Sequence, residues 1–260
     1  MATVNATTEE IMVYAAAREI SDGDTVFVGT GLPMLAAYLA RASHAPSVSL
    51  LFESGIVDPN PTHLALGVGD FRLMHGATSV RGLYYVLSLL QKGSIDVGFL
   101  GAAEVDAHGN INSTIIDGDY RHPGKRLPGS GGANDIASSA RSTVIMCVNR
   151  PDRLVPRVQY VTSPGFLGGG GERERAGLRP GGARMIITDL AVFRFDPKTR
   201  RAFVSSIHPG VEPETVVERT GFEIAVPHGV ARTPAPNDQT LALLRAMDPD
   251  GVYLRRPRGA

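Results

Sequence analysis

The stretch VSLLFESGIVDPNP, residues 48–61, decides how the rest of the chain is read. Its opening run suits a sheet interior, yet it ends on an ionisable side chain, Glu53, followed at once by Ser54 and Gly55. A carboxylate drawn out of water is costly unless it is paired or used. Glu53 therefore reads either as a turn cap or ion-pair partner, or as a group held ready for chemistry. Gly55 lets the backbone turn away sharply behind it.

Upstream, Thr7 and Glu10 have the spacing of a capping box and open an amphipathic helix, EEIMVYAAAREI, closed by SDGD. TVFV follows as a buried strand, GTGLP as a tight turn, and MLAAYLARAS as a helix with Pro33 at its first position. VSLLFE then completes a strand, helix, strand unit. Its strands are apolar without alternation, which suits a parallel sheet covered on both faces. Downstream, SVRGLYYVLSLLQKG reads as helix, IDVGFLGAAEV and INSTII as strands, and IASSARS leads into the strand TVIMCVN. From about residue 157 strands follow without long helices between them, including RMIITD and the hairpin AVFRFDPKTRRAFVSSI, with a last helix at PETVVERTG. The expectation is an open, largely parallel α/β sheet with helices on both faces and a more β-rich C-terminal part, built as a single domain over 1–260. Residues 163–182, SPGFLGGGGERERAGLRPGG, are too rich in glycine for regular structure and read as a loop or lid.

Composition narrows the function. Of 260 residues, 26 are Lys or Arg and 26 Asp or Glu, so no overall field favours nucleic acid or an anionic membrane. No basic leader with an apolar core opens the chain and no run of about 18 apolar residues occurs, which points to the cytoplasm. The single cysteine, Cys147 in TVIMCVN, reads as a small strand hydrophobe.

Four chemistries compete for Glu53. A dinucleotide site is suggested by the glycines of VGTGLP, with Glu53 22 residues beyond Gly31 as the ribose acid. Against it, Met34 occupies the third glycine position and Pro33 removes an N–H from the helix start. No Walker-type Gly-Lys-Ser/Thr is present. Seven scattered histidines and one cysteine build no zinc site. A serine hydrolase lacks its G-x-S-x-G, since Ser54 stands in ESG.

Two further segments favour acyl transfer. In DAHGNINST, 106–114, Asn110 and Asn112 alternate about Ile111 and so face one side of an extended segment. In LPGSGGAND, 127–135, a glycine turn runs into a helix, leaving Gly131 and Gly132 to aim N–H groups at a developing negative charge. A carboxylate, an amide donor and an oxyanion-binding turn are the parts of an acyl-transfer site.

VGTGLP, FESG, GNINST, DYRHPGKRLPGSGGAND, YVTSPGF and GFEI occur in that order between about residues 10 and 250. Together they resemble the beta subunit of the class I coenzyme A transferases, of the glutaconate CoA-transferase type. The resemblance implies a NagB/RpiA/CoA-transferase-like fold and a glutamate nucleophile in the ESG turn, Glu53, that attacks an acyl-CoA thioester. It also implies that Gly131 helps bind the oxyanion and that Asn112 contacts the carbonyl region of the covalent intermediate. Gly29, Gly31, Ser54, Gly55 and Gly132 would border the substrate, and Arg72, Arg81 and Arg121 are candidates for a second substrate carboxylate. It implies no metal and no resident cofactor, coenzyme A being a substrate. The partners would be a separate alpha subunit, acyl-CoA and small carboxylic acids. Ring-opening hydrolases of the same scaffold lack the glutamate, so its presence favours transfer over hydrolysis, carbon-bond cleavage or a regulatory role.

Overall fold

In the computed structural model, residues 6–254 are described. The first five residues, part of the N-terminal stretch read above for a leader, lie outside them, as do the last six. The chain opens with α1 (Thr8–Ala17), β1 (Thr25–Val28), α2 (Leu32–Ala42), β2 (Ser49–Phe52), β3 (Ile56–Val57), β4 (Ser79–Val80) and α3 (Leu83–Lys92). It continues through β5 (Val97–Gly101), β6 (Glu104–Asp106), β7 (Ile111–Asn112), β8 (Ile115–Gly118), β9 (Pro123–Arg126), α4 (Ala133–Ser139) and β10 (Ser142–Met146). The last part comprises β11 (Leu154–Val155), α5 (Glu172–Arg175), β12 (Ala183–Ile187), β13 (Ala191–Phe195), β14 (Ala202–Ile207), α6 (Pro213–Glu218), β15 (Ala231–Arg232) and α7 (Asp238–Met247).

Contacts divide the described residues into two compact units, one of residues 6–89 and 233–254, the other of residues 90–232. In the first, β1 and β2 run parallel, in register from Thr25 opposite Ser49 to Val28 opposite Phe52. β3 then pairs antiparallel with β2, and β4 with β3. The capping box forms as the spacing predicts: Thr7 N–H donates to Glu10 Oε2 at 2.8 Å, and Glu10 N–H to Thr7 Oγ1 at 3.3 Å. α2 starts one residue earlier than its proline suggests, with Gly31 as N-cap and Pro33 in its first turn. Every residue from Pro33 to Ala40 is buried, because the small Ala36, Ala37 and Ala40 set among Met34, Leu35, Tyr38 and Leu39 let the helix pack closely against its surroundings. Burying Phe27, Leu35, Leu39, Leu50 or Phe52 contributes roughly 1.5–3 kcal/mol apiece.

In the second unit β5, β10 and β12 are parallel neighbours, with Met146 opposite both Gly101 and Ile187. β13 and β14 extend this sheet as the predicted antiparallel hairpin, and β15 joins β14 in parallel. Beside it lie a small sheet, β11-β6-β7, and the β8–β9 hairpin. The α/β class with its β-rich C-terminal part stands.

Three departures from the sequence reading have clear causes. The short antiparallel β3 and β4 fall in a segment with little apolar periodicity. α7 starts from Asn237, whose side chain accepts a hydrogen bond from Thr240 N–H, a cap hidden in the polar run PAPNDQT. The glycine-rich stretch 163–182 is not wholly irregular, for it contains α5, and Arg173 within it is 1% exposed.

Candidate active site

In the first unit the register of β1 and β2 brings two predicted turns side by side. Val28 lies opposite Phe52, so the Gly29–Gly31 turn and the Glu53–Gly55 turn leave neighbouring parallel strands at the same, carboxyl edge. That edge is where open α/β folds bind ligands. Glu53 follows directly on β2 and is half-buried. Gly55 N–H donates to Phe52 O at 2.9 Å, and Gly55 has φ +91°, a conformation that favours glycine. Behind the turn runs the backbone of residues 80–82: Arg81 N–H donates to Gly55 O at 2.9 Å. Between the two glutamate-turn anchors, the Ser54 hydroxyl is buried and has no hydrogen-bond partner among the described residues. Leaving such a group unpaired costs about 1–3 kcal/mol.

Gly31, also at positive φ, faces Tyr253: a Cβ placed on it would lie 4.0 Å from Tyr253 Cε1. The Tyr253 hydroxyl donates to Ala65 O at 2.6 Å, and burial raises its pKa above the ordinary phenol value. The segment around Ala65 is thereby held against the C-terminal stretch. Neither contact is foreseeable, since nothing in the sequence links residues 188 positions apart.

The second unit gathers the other predicted segments. Asn112 is fully buried on β7. Its Nδ2 donates to Glu104 Oε2 and to Ile115 O, both at 2.6 Å, and its Oδ1 accepts from Thr114 N–H at 3.0 Å. Asn110 is likewise engaged, donating to both Asp106 carboxylate oxygens and to Leu167 O. Each amide holds its own loop together, and Asn112 reaches a substrate carbonyl only by giving up one of these acceptors. The glycine turn is fastened to the same segment: Gly129 N–H donates to Ser113 O at 2.8 Å, and Ser113 Oγ to Gly129 O at 2.9 Å. Gly131, exposed and with φ +48°, follows in this turn, and buried Gly132 caps α4. Residues 162–163 brace both pieces, because Thr162 Oγ1 accepts from Ser113 N–H and Thr162 O from Asn134 Nδ2.

The three arginines separate. The Arg81 backbone touches the glutamate turn, whereas Arg72 donates to Leu64 O and lies 3.7 Å from Asp70, and Arg121 sits in the exposed β8–β9 connection. Cys147 is buried, and burial first, then Asp189, pushes its thiol up to about 12, as befits an inert side chain. Among the described residues no cluster of His, Cys, Asp and Glu could hold a metal ion, and no helix is long and apolar enough to cross a membrane.

The family model described as Coenzyme A transferase matches residues 9–219. The chain belongs to the coenzyme A transferase family. This CoA-transferase chain is 43% identical, over 242 residues and 93% of each chain, to the beta subunit of 3-oxoadipate CoA-transferase from Pseudomonas knackmussii. It is 38% identical to the beta subunit of glutaconate CoA-transferase from Acidaminococcus fermentans, over 98% of each chain. The crystal structure of the latter enzyme matches with a TM-score of 0.92 and 35% identity, covering 98% of this chain and 99% of that one. The decarboxylase AibA/AibB matches at TM-score 0.82 and 32% identity, over 95% and 97% of the two chains. The transferase is thus of the beta-subunit type, on a scaffold that also carries a decarboxylase.

Proposed function

We propose that this beta subunit, together with an alpha subunit, moves coenzyme A between carboxylic acids, dicarboxylic ones among them, through a glutamyl-CoA thioester at Glu53. The observation that carries this reading is the position of Glu53: half-buried, at the carboxyl end of a parallel strand, in a turn fixed from behind by backbone. A carboxylate in water is a poor nucleophile because hydration occupies its lone pairs. Partial burial strips some of that hydration while the turn fixes the direction of attack.

The Glu53 carboxylate attacks the thioester carbonyl, and the tetrahedral oxyanion collapses by expelling CoA thiolate, leaving an acyl-glutamyl anhydride. The thiolate then attacks the glutamyl carbonyl. The first acid departs as its carboxylate, and Glu53 is left as the CoA thioester. The carboxylate of a second acid attacks that thioester, re-forming an anhydride and the thiolate. Attack of the thiolate on the new acyl carbonyl releases the second acyl-CoA and restores the Glu53 carboxylate. No proton is needed at any step, so a carboxylate nucleophile can complete the cycle without a general base. Gly131 and Gly132 are assigned as N–H donors to the oxyanion; such donors are typically worth about 3–4 kcal/mol each. Asn112 is assigned to the carbonyl region through exchange of its Glu104 contact. Gly29, Gly31, Ser54 and Gly55 border the substrate, with Ser54 offering its unpartnered hydroxyl. Arg81 is the favoured partner for a second substrate carboxylate, since its backbone already adjoins the glutamate turn. Coenzyme A enters as substrate, with no resident cofactor.

A second reading, hydrolysis or carbon-bond cleavage, is favoured only by the likeness to the decarboxylase. Borohydride separates the two. Treating the assembled enzyme with acyl-CoA and then borohydride should reduce a thioester at Glu53 and change the mass of its peptide, and Glu53→Gln should lose both adduct and exchange. Release of free CoA with no adduct, or undiminished exchange by the Gln variant, would overturn the proposal.

A further inference from the structure

The Asn112 carboxamide has no hydrogen-bonding capacity left over. Its two Nδ2 hydrogens go to Glu104 Oε2 and Ile115 O, both at 2.6 Å, and its Oδ1 accepts from Thr114 N–H at 3.0 Å and Ile115 N–H at 3.4 Å. Those bonds fill both donor and both acceptor places of a primary amide. The side chain is also fully buried. The contact with a substrate carbonyl assigned to it above therefore requires one of these bonds to open.

The bonds differ in how readily they open. Three run to main-chain groups of Thr114 and Ile115, both buried residues, which cannot withdraw without unmaking the turn that Asn112 itself holds. A buried main-chain group that loses its partner carries its full desolvation penalty. Glu104 is different. It is a half-buried side chain on β6, directly across from Asn112 in the β6–β7 pairing. Among the described residues its Oε1 has no hydrogen-bond partner and no cation pairs with it. Water can replace the amide when this carboxylate turns outward, so this is the bond that opens at least cost. While it is closed it is a firm one, because an ionised acceptor roughly doubles the strength of such a bond.

The pair also stands where ligands are expected. Glu104 lies three residues beyond Gly101, which ends β5 at the carboxyl edge of the parallel strands β5 and β10. Ser113, next to Asn112, is bonded in both directions to Gly129 of the glycine turn.

We infer that Glu104 is a latch on Asn112: its carboxylate occupies the amide N–H that the acyl carbonyl needs, and acyl-CoA takes that N–H by displacing Glu104 into solvent. Once the acyl group leaves, the carboxylate reclaims the amide, which favours product release. Glu104 is thus a positioning residue that competes with substrate for one donor. The inference rests on the reading of Asn112 above and adds the residue that controls it.

The test measures steady-state CoA exchange by this chain assembled with the alpha subunit that restores it. Glu104→Ala should lower KM for acyl-CoA at least threefold while kcat stays within about twofold, the pattern of binding gained equally in ground and transition states. Glu104→Gln, which keeps the shape and an acceptor but not the charge, should fall between. Both shifts should vanish in an Asn112→Ala background, since the latch acts only through that amide. A residue that merely supports the β6–β7 pairing would raise KM or lower kcat when changed. A charge that merely repels an acidic acyl group would act with or without Asn112. Either result, or an unchanged KM in Glu104→Ala, overturns the inference. Native exchange by Asn112→Ala sinks the assignment of Asn112 and the latch with it. If the complex releases free CoA instead of exchanging it, the same KM shift read on that release keeps the latch and sinks the transferase reading.

Discussion

A Cβ placed on Gly55 would lie 2.2 Å from the backbone nitrogen of Gly82 and 2.4 Å from its Cα and carbonyl carbon. Those are backbone atoms, which cannot swing aside as a side chain can. The two glycines therefore press two chain segments together directly behind Glu53, and the ESG turn has one geometry open to it. Gly55→Ala adds a left-handed conformation, worth about 1–3 kcal/mol of strain, to a clash that only movement of the turn relieves. We expect at least a hundredfold loss of CoA exchange while the fold persists. Gly69→Ala, with nothing within 4 Å of the new Cβ and no positive φ, is the control and should exchange normally. Exchange rates with urea midpoints for both variants check this.

Glu10 and Arg245 illustrate tertiary anchoring by one buried charge. Glu10 is 3% exposed, completes the α1 capping box, and accepts from Arg245 Nε at 2.6 Å and Nη2 at 3.0 Å, joining α1 to α7. Arg245→Ala leaves that carboxylate buried and short of its cation. Because the arginine side chain is itself 41% exposed, the loss should fall at the low end for a broken pair, about 2 kcal/mol. Urea unfolding should show it, and Arg245→Lys should recover part.

The sequence exposes features whose physics is local and hides those that depend on a distant partner. The capping box at Thr7, the βαβ order and the turn at Gly55 are legible because each needs particular residue types at short spacing. The backbone of Gly82, visible in VRGL, attracts no assignment, since the close approach that requires a glycine at position 55 comes from a segment 27 residues away. Asn112 reads as a donor to substrate; nothing in GNINST says that its amide is taken by Glu104, eight residues earlier on the neighbouring strand. The exposed aromatics Tyr84 and Tyr85 disappear into a helix assignment, because periodicity does not distinguish a face buried in the core from one left open to solvent. α7 escapes notice because its cap lies in a run of polar residues and prolines that resembles a loop.

His208 sets a pH limit on stability. It is 2% exposed, with Nε2 2.8 Å from Thr188 O, an acceptor for the neutral ring's N–H. Burial holds its pKa below the ordinary histidine value, against smaller opposing effects of the Thr188 carbonyl and Asp189. The unfolded chain takes up a proton near pH 6.5, whereas the folded chain does so only at lower pH. This contribution is therefore fully present above about pH 6.5 and is lost as pH falls toward the folded value. Urea midpoints measured from about pH 7.5 to 5 should decline more steeply for the native chain than for His208→Gln. Parallel declines would contradict the assignment.

Arg173 answers whether residues 163–182 swing as a lid. Its guanidinium, almost fully buried, donates to five carbonyls: Arg179 O from Nε, Pro164 O and Gly165 O from Nη1, Ala137 O and Ser138 O from Nη2. The last two are end-of-helix carbonyls of α4 that have no intrahelical donor, so the cation closes the helix and pins both ends of the loop at once. A lysine presents its donors from a single atom and cannot span such an array. Arg173→Met removes the charge and leaves the carbonyls short of donors, at a cost of about 1–3 kcal/mol for each that stays buried. The segment should then open: trypsin should cut after Arg175 at least tenfold faster than in the native chain, and Arg173→Lys should fall between. If the loop acts as a pinned wall that excludes water, the loosened variant should also divert acyl-CoA from exchange to hydrolysis, raising free CoA release per exchange event. Native trypsin resistance in Arg173→Met would show that the glycine-rich segment is held by something other than this cation.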